Sequence, residues 1–196
     1  MKRFLSALLV CLALCAACAM GVSAAENKAF DPGAIQQCMF LVDTNPAIGG
    51  FGHCGMVLVD KNSNGILYSF QTGGLWQRSV SPAQLKQFLK DGLIPKAESK
   101  FQFDRVVAFD VLPEEGRRMY DYAANHEFRD FYMYASFFAS LIPVGDNCLT
   151  FVHSTMAAGS QKYRFLYPFG VPLFAFDTLQ LKLKLNSVPY TTYYPG

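Results

Sequence analysis

The sequence has few of the residues that most often carry enzyme chemistry, since its 196 residues contain only three histidines and six cysteines. Charged residues make up 16% of the chain, and a formal net charge of +2 leaves no basic run of the kind that follows a nucleic-acid backbone. Internal repeats and low-complexity tracts are absent as well. These deficits exclude nucleic acid as a partner and restrict any catalytic site to a small set of side chains.

The first 25 residues have the layout of a secretory signal peptide. A basic start is followed by an apolar run from Phe4 to about Met20 and then by small residues. We therefore expect cleavage near Ala24 or Ala25, a secreted or cell-envelope location, and no stable membrane span after cleavage. The alternative is a single transmembrane anchor, for which the apolar run is only marginally long enough. Residues 26–196 suffice for one domain with a substantial core.

Cleavage would leave three cysteines, which is an odd number for a compartment that can be oxidising. No CxxC pair remains, so we expect no structural zinc site, and nothing indicates another metal or a cofactor. Cys38 and Cys54 are able to pair with each other, although sequence alone does not establish that bond. Cys148 is then the thiol that needs a separate explanation.

Apolar patterning predicts a fold of the α+β class. Strands are expected over 37–43, 53–59, 66–71, 103–111 and 179–185, with 53–71 forming a hairpin. Helices are expected to begin near Pro82, Pro113 and Asn147. Aromatic residues recur at helical spacing over 128–138 and predict a buried stripe. The mixture favours an antiparallel sheet packed by helices on one side.

Cys148 stands where a cysteine becomes reactive. Gly145 and Asp146 end the preceding segment, Asn147 is a strong N-cap residue, and an apolar helical pattern follows. The partial positive charge of a helix N-terminus lowers the pKa of a thiol from its ordinary value of about 8.5. The N–H groups of the first turn can also bind an oxyanion. The simpler alternative is a small buried residue that fills a gap.

Elimination leaves His53 as the base for Cys148. His153 lies about 140° round the same helix from Cys148 and cannot turn back to it. His126 stands late in a polar helix beside Glu127, where a solvated or charge-complementing role is the simpler interpretation. His53 begins a strand directly after a glycine-rich loop, and catalytic groups tend to lie where strands meet loops.

Two motifs, GHCGMVLVD at 52–60 and NCLTFV at 147–152, resemble the circularly permuted branch of the papain-like, NlpC-type superfamily of cysteine hydrolases. The lecithin:retinol acyltransferase group and many exported bacterial proteins belong to that branch. Ordinary NlpC members have the cysteine helix before the histidine strand, whereas the histidine comes first here. The resemblance covers roughly 40–160 and implies a permuted papain-like fold in a single domain over 26–196.

The resemblance also implies a third polar residue, on the neighbouring strand, that orients the imidazole. Relatives of lecithin:retinol acyltransferase use a histidine there, which this chain lacks, while other members use Asn, Gln or Glu. A tight turn in the hairpin would set Val59 opposite Gly65. The same register sets His53 opposite Gln71, on the face that Ser69 shares. Gln71 is therefore the candidate and Ser69 the reserve, and a register slip of one residue would reverse the face.

The first functional hypothesis is an exported thiol hydrolase, a cysteine peptidase or amidase. Cys148 attacks a carbonyl carbon, His53 keeps the thiolate ionised and later protonates the leaving group, and Gln71 orients His53. The backbone N–H groups of Cys148 and a neighbour stabilise the oxyanion. By analogy and compartment, the expected substrate is an amide bond in a peptide or peptidoglycan-like cell-wall component. Cys54 is expected to point to the opposite face of the strand and to take no part.

Two further hypotheses remain open. The same site could act on lipids or esters, as an acyl hydrolase or acyltransferase, with residues 128–138 forming an acyl groove. Alternatively the chain is a catalytically inactive binding or inhibitor module with a papain-like fold. A disulfide at Cys148, or a large separation between His53 and Cys148, would favour the inactive module.

Overall fold

A computed structural model describes residues 29–45, 52–71, 74–93, 102–127, 146–166 and 171–196. The expected signal peptide and the aromatic segment 128–138 lie outside these ranges. In chain order the elements are β1 Ile35–Asp43, β2 His53–Asp60, β3 Gly65–Gln71, β4 Gly74–Val80, α1 Pro82–Asp91, β5 Arg105–Asp110, α2 Pro113–Asn125, α3 Cys148–Gly159, a 3-10 turn Gln161–Tyr163, α4 Pro172–Leu185 and β6 Tyr190–Tyr193.

The strands form a six-stranded sheet in the order β4-β3-β2-β1-β5-β6, and every neighbouring pair is antiparallel. Four helices accompany the sheet in the described ranges. The α+β class and the antiparallel sheet are thus confirmed. The hairpin register is also as expected, because Val59 lies opposite Gly65 and Met56 lies opposite Tyr68.

Side chains alternate between two buried faces of the sheet, as the two-residue period of a strand requires. The α3 face carries Cys54, Met56 and Leu58 of β2 and packs against α2, α3 and α4. The α1 face carries Val57 and Val59 of β2 and packs against α1. The expectation of helices on one side only is therefore wrong, since the sheet is covered on both faces.

The segment 179–185 is helical, not the expected strand. Pro172 stands in the first turn of α4, where its missing N–H costs nothing. The helix buries Ala175, Leu179 and Leu183, which recur at intervals of four residues and face the sheet. A strict alternation of leucine with polar residues contains this four-residue spacing as well as the strand period, so the pattern alone did not decide between them.

Helices α2 and α3 run antiparallel and approach closely at a glycine. A Cβ placed on Gly159, at the end of α3, would lie 2.4 Å from Met119 Cε and 3.1 Å from the carbonyl oxygen of Glu115. The Arg118 guanidinium donates to the carbonyl oxygen of Gly159 at 2.6 Å. This contact brings the end of α3 against the beginning of α2, and hence the end of α2 near the beginning of α3.

Candidate functional site

The beginning of α3 is fixed by the side chain of Asn147. Its Oδ1 accepts the N–H of Leu149 at 2.9 Å and that of Thr150 at 2.8 Å, and Thr150 Oγ1 accepts the N–H of Asn147 at 2.9 Å. The predicted N-cap is thus confirmed, and Cys148 is the first residue of the helix. Asn147 Oδ1 accepts the N–H groups of Leu149 and Thr150 but not that of Cys148. The Cys148 N–H is therefore the candidate donor for an oxyanion.

Cys148 faces β2, where its neighbour is Cys54. Both thiols belong to the buried cluster of the α3 face, and Cys148 is only 6% exposed. Burial raises the pKa of Cys54 well above its ordinary value, and the adjacent Cys148 thiol raises it further. Cys54 does point away from His53, as expected, and this direction is the one that meets Cys148.

Three of the predicted site residues meet on the α1 face instead. The Nε2 atom of His53 lies 2.8 Å from Ser69 Oγ, and the Gln71 amide donates to the same oxygen at 3.4 Å. The ring of His53 lies 6.1 Å from that of Phe103, which belongs to the α1-face cluster. Ser69, the reserve candidate, is thus within hydrogen-bond distance of the imidazole, and Gln71 donates to Ser69.

The sheet therefore separates His53 from Cys148. Consecutive strand residues point to opposite faces, so Cys54 and His53 cannot both meet α3. The register of the hairpin was predicted correctly, but register defines only which residues share a face. It does not define which face receives a given helix. The structure thus places the His53 imidazole with Ser69 and Phe103 and the Cys148 thiol with Cys54 on the opposite face, and in this arrangement it does not bring the predicted pair together.

A different histidine lies near the beginning of α3. His126 follows the last residue of α2, and its Nε2 atom lies 3.5 Å from Asp146 Oδ2. Both side chains are largely buried, at 16% and 11% exposure. The His126 ring lies 5.9 Å from that of Phe151, one helical turn after Cys148. His126 is therefore not solvated, while its position at the C-terminal end of α2 is the one that the charge-complementing role assumed.

Sequence reasoning missed His126 because its proximity to Asp146 depends on how two helices cross. The one local signal was Gly159, a helical glycine whose missing side chain permits the close approach of α2. The third histidine, His153, lies against Phe165, with the rings 5.2 Å apart. Burial, assisted by the positive charge of Arg164, lowers the pKa of His153 to about 4, so this imidazole is neutral at neutral pH.

None of the cysteines in the described ranges takes part in a disulfide. The possible Cys38–Cys54 bond is not made, because Cys54 lies opposite Val42, four residues along β1 from Cys38. Across the described ranges, no three residues among His, Cys, Asp and Glu are grouped so that they could hold a metal ion. None of the helices described is long and apolar enough to cross a bilayer.

Comparisons with known proteins do not identify a family. No family model matches the chain, and no curated protein or solved structure is significantly similar to it. The functional interpretation therefore depends on the residues at the start of α3.

Proposed function

We propose that the chain is an exported cysteine hydrolase in which Cys148 is the nucleophile, His126 the base and Asp146 the residue that orients His126. One observation carries the proposal: the His126 imidazole lies against the Asp146 carboxylate, two residues before a cysteine that begins a capped helix. Thiol, imidazole and carboxylate are the three groups that nucleophilic acyl transfer by cysteine requires.

The reaction follows from these groups. His126 takes the Cys148 proton, and the thiolate attacks the carbonyl carbon of an amide. The oxyanion that forms is stabilised by the N–H of Cys148, at the positive end of α3. His126 then donates its proton to the departing amine, leaving a thioester on Cys148. Water, deprotonated by His126, attacks the thioester, and the carboxylic acid leaves as the thiol is regenerated.

His126 is preferred to His53 because of where each ring packs. His126 contacts Phe151, which projects from α3 on the same face as Cys148. His53 contacts Phe103 and Ser69 on the α1 face. Asp146 also gives His126 a carboxylate partner, which stabilises the imidazolium that must form during catalysis.

The proposed substrate is an amide bond in a peptide, with peptidoglycan-like peptides the favoured class. This assignment rests on the resemblance to NlpC-type hydrolases and on the expected export. The lipid or ester alternative depends on an acyl groove in 128–138, which lies outside the described residues. The hypothesis of an amide substrate is therefore preferred, because it does not require an acyl groove.

A second candidate, an inactive binding module, is favoured by one observation, the separation of His53 from Cys148 by the sheet. If the functional pair is His53 and Cys148, that separation removes catalysis. The two candidates differ in the reactivity of Cys148, because a binding module has no need of an activated thiol.

The test is the pH dependence of iodoacetamide alkylation at Cys148, read by peptide mass spectrometry on the mature protein. We expect alkylation to persist well below pH 8 and to fall by about tenfold or more in His126→Ala, because an adjacent imidazolium favours the thiolate. His53→Ala is the matched control and should leave the profile unchanged. Hydrolysis of amide-linked and ester-linked reporter substrates should follow the same order of variants.

Two outcomes would contradict the proposal. Loss of reactivity in His53→Ala, with His126→Ala unaffected, would restore the pair that the sequence suggested. An ordinary thiol profile in the parent protein, unchanged in both variants, would favour the binding module.

A further inference from the structure

Cys54 occupies the position on β2 that faces the proposed nucleophile. Its side chain is fully buried on the α3 face, and Cys148 lies across from it at the first turn of α3. Burial raises the pKa of Cys54, and a hydrogen bond with the Cys148 thiol raises it further. This arrangement differs from that of a lone buried cysteine, because two thiols from distant parts of the chain are neighbours in one buried cluster.

The position of Cys38 makes the pairing selective. Cys38 lies on the same face of the sheet but opposite Leu58, four residues along β2 from Cys54. Four residues of strand correspond to roughly 13 Å, which is far beyond the reach of a disulfide. The Cys54 and Cys148 thiols are instead hydrogen-bonded neighbours on the α3 face. Of the described cysteines, these two form the pair that can be joined.

We infer that Cys54 and Cys148 form a reversible disulfide, which makes this pair an oxidation site that blocks the nucleophile. The bond itself is independent of the proposed function, whereas its effect on activity rests on that function. Cys148, at the helix N-terminus and slightly exposed, is the sulfur that an oxidant reaches first. Cys54, with no exposed surface, is the resolving thiol.

The oxidant is a low-molecular-weight disulfide, and the probe is oxidised glutathione. The Cys148 thiolate attacks one sulfur, the glutathione S–S bond breaks, and one glutathione leaves as a thiol. Cys54, deprotonated as it reacts, then attacks the Cys148 sulfur and displaces the second glutathione. The two cysteines lose two electrons and two protons in total, and oxidised glutathione gains them as two thiols.

The experiment equilibrates the mature chain in glutathione buffers of increasing oxidised fraction, quenches with acid, alkylates the free thiols and maps the peptides without reduction. We expect the Cys54–Cys148 disulfide to exceed the Cys148–glutathione mixed disulfide by about tenfold or more, because a preoriented neighbour competes well with a dissolved thiol. Cys38 should be recovered as an alkylated free thiol.

Variants make the assignment specific. In Cys54→Ala and Cys54→Ser, oxidation at Cys148 should stop at the mixed disulfide with glutathione. Cys38→Ala is the matched control and should still form the Cys54–Cys148 bond. The inference is overturned if the parent accumulates the mixed disulfide with Cys54 free, if Cys38 is a principal partner, or if Cys148 remains a thiol throughout.

Failure of this inference can be distinguished from failure of the proposed function. A mapped Cys54–Cys148 disulfide in a protein that hydrolyses no reporter substrate supports the pair and contradicts the hydrolase. Hydrolysis that oxidised glutathione inhibits only through the mixed disulfide, equally in the parent and in Cys54→Ala, supports the hydrolase and overturns the pair.

Discussion

The two faces of the sheet differ both in the size of their buried cores, since the cluster on the α3 face is the larger, and in their chemistry. The α3 face holds both neighbouring thiols, and the contact of His126 with Asp146 lies at the start of its central helix. The α1 face holds His53 and Ser69, which bond to each other beneath Phe103. His53 and Cys54 are adjacent in the chain, yet they belong to different sites. Adjacency in a strand therefore argues against a shared site rather than for one.

The far end of the α3 face shows how this protein buries a charge that has no part in the proposed reaction. Burial alone would raise the pKa of Glu115, but the Lys162 ammonium, the Tyr163 hydroxyl and the N–H of Leu112 donate to the carboxylate and together hold that pKa below its ordinary value. Every strong donor near this carboxylate is engaged. Cys148 and Cys54 belong to the same buried face, where Cys148 stands in the first turn of α3.

The largest expected effect on stability comes from replacing a large buried side chain on either face by alanine. Phe151 and Phe88 are both fully buried, on the α3 and α1 faces respectively, so Phe151→Ala and Phe88→Ala should each lower the free energy of unfolding by about 3–5 kcal/mol. Urea denaturation measures this loss. Only Phe151→Ala should also slow alkylation of Cys148, since Phe151 packs against His126. Equal changes at Cys148 in both variants would show that the faces are not independent.

The next effect is a pH dependence that arises on the α3 face. His153 has a pKa of about 4 when folded and about 6.5 when unfolded, so the unfolded chain binds its proton first. The stability contributed by this group is nearly complete above pH 6.5 and is lost as the pH falls through 4, by about 3 kcal/mol in all. In His153→Gln this part of the acid destabilisation should disappear. An identical decline in parent and variant, followed by urea denaturation between pH 7 and 4, would contradict the assignment.

The smallest effect compares two helix caps. Ser81 caps α1 and Asn147 caps α3, each with a reciprocal partner three residues later. Ser81→Ala and Asn147→Ala should each cost about 1 kcal/mol of unfolding free energy. Asn147→Ala should in addition alter the rate of Cys148 alkylation, because the cap holds the first turn of α3. The comparison fails if Ser81→Ala changes that rate as much.

Much of the fold could be predicted because its local signals are strong. Pro82 and Pro113 lie at the first positions of α1 and α2, Asn147 caps α3, and the turn between β2 and β3 sets their register. Each signal acts over a few residues of chain. The sequence therefore indicated where these elements begin and how the hairpin pairs.

The candidate site was harder to predict from the sequence, because it depends on contacts between elements that are far apart in the chain. Which face of β2 meets α3 is decided by the packing of whole helices, and no residue of the hairpin reports it. The meeting of His126 and Asp146 likewise depends on the crossing of α2 and α3. Strand β4 was not predicted because it begins at Gly74, the second of two consecutive glycines, which are typical of a loop; its Trp76 packs on the α1 face.

The close contact at Gly159 fixes one end of α3, so a change there is expected to move the other end. Arg118 and Met119 hold the helix at this end, and Cys148 lies at the other, roughly 16 Å away at the rise of an α-helix. A side chain added at Gly159 would clash with Met119 and shift this end of the helix. Because a helix moves largely as a rigid body, the shift would extend to the Cys148 sulfur. A residue at the far end of the helix thus helps to set the position of the Cys148 thiol.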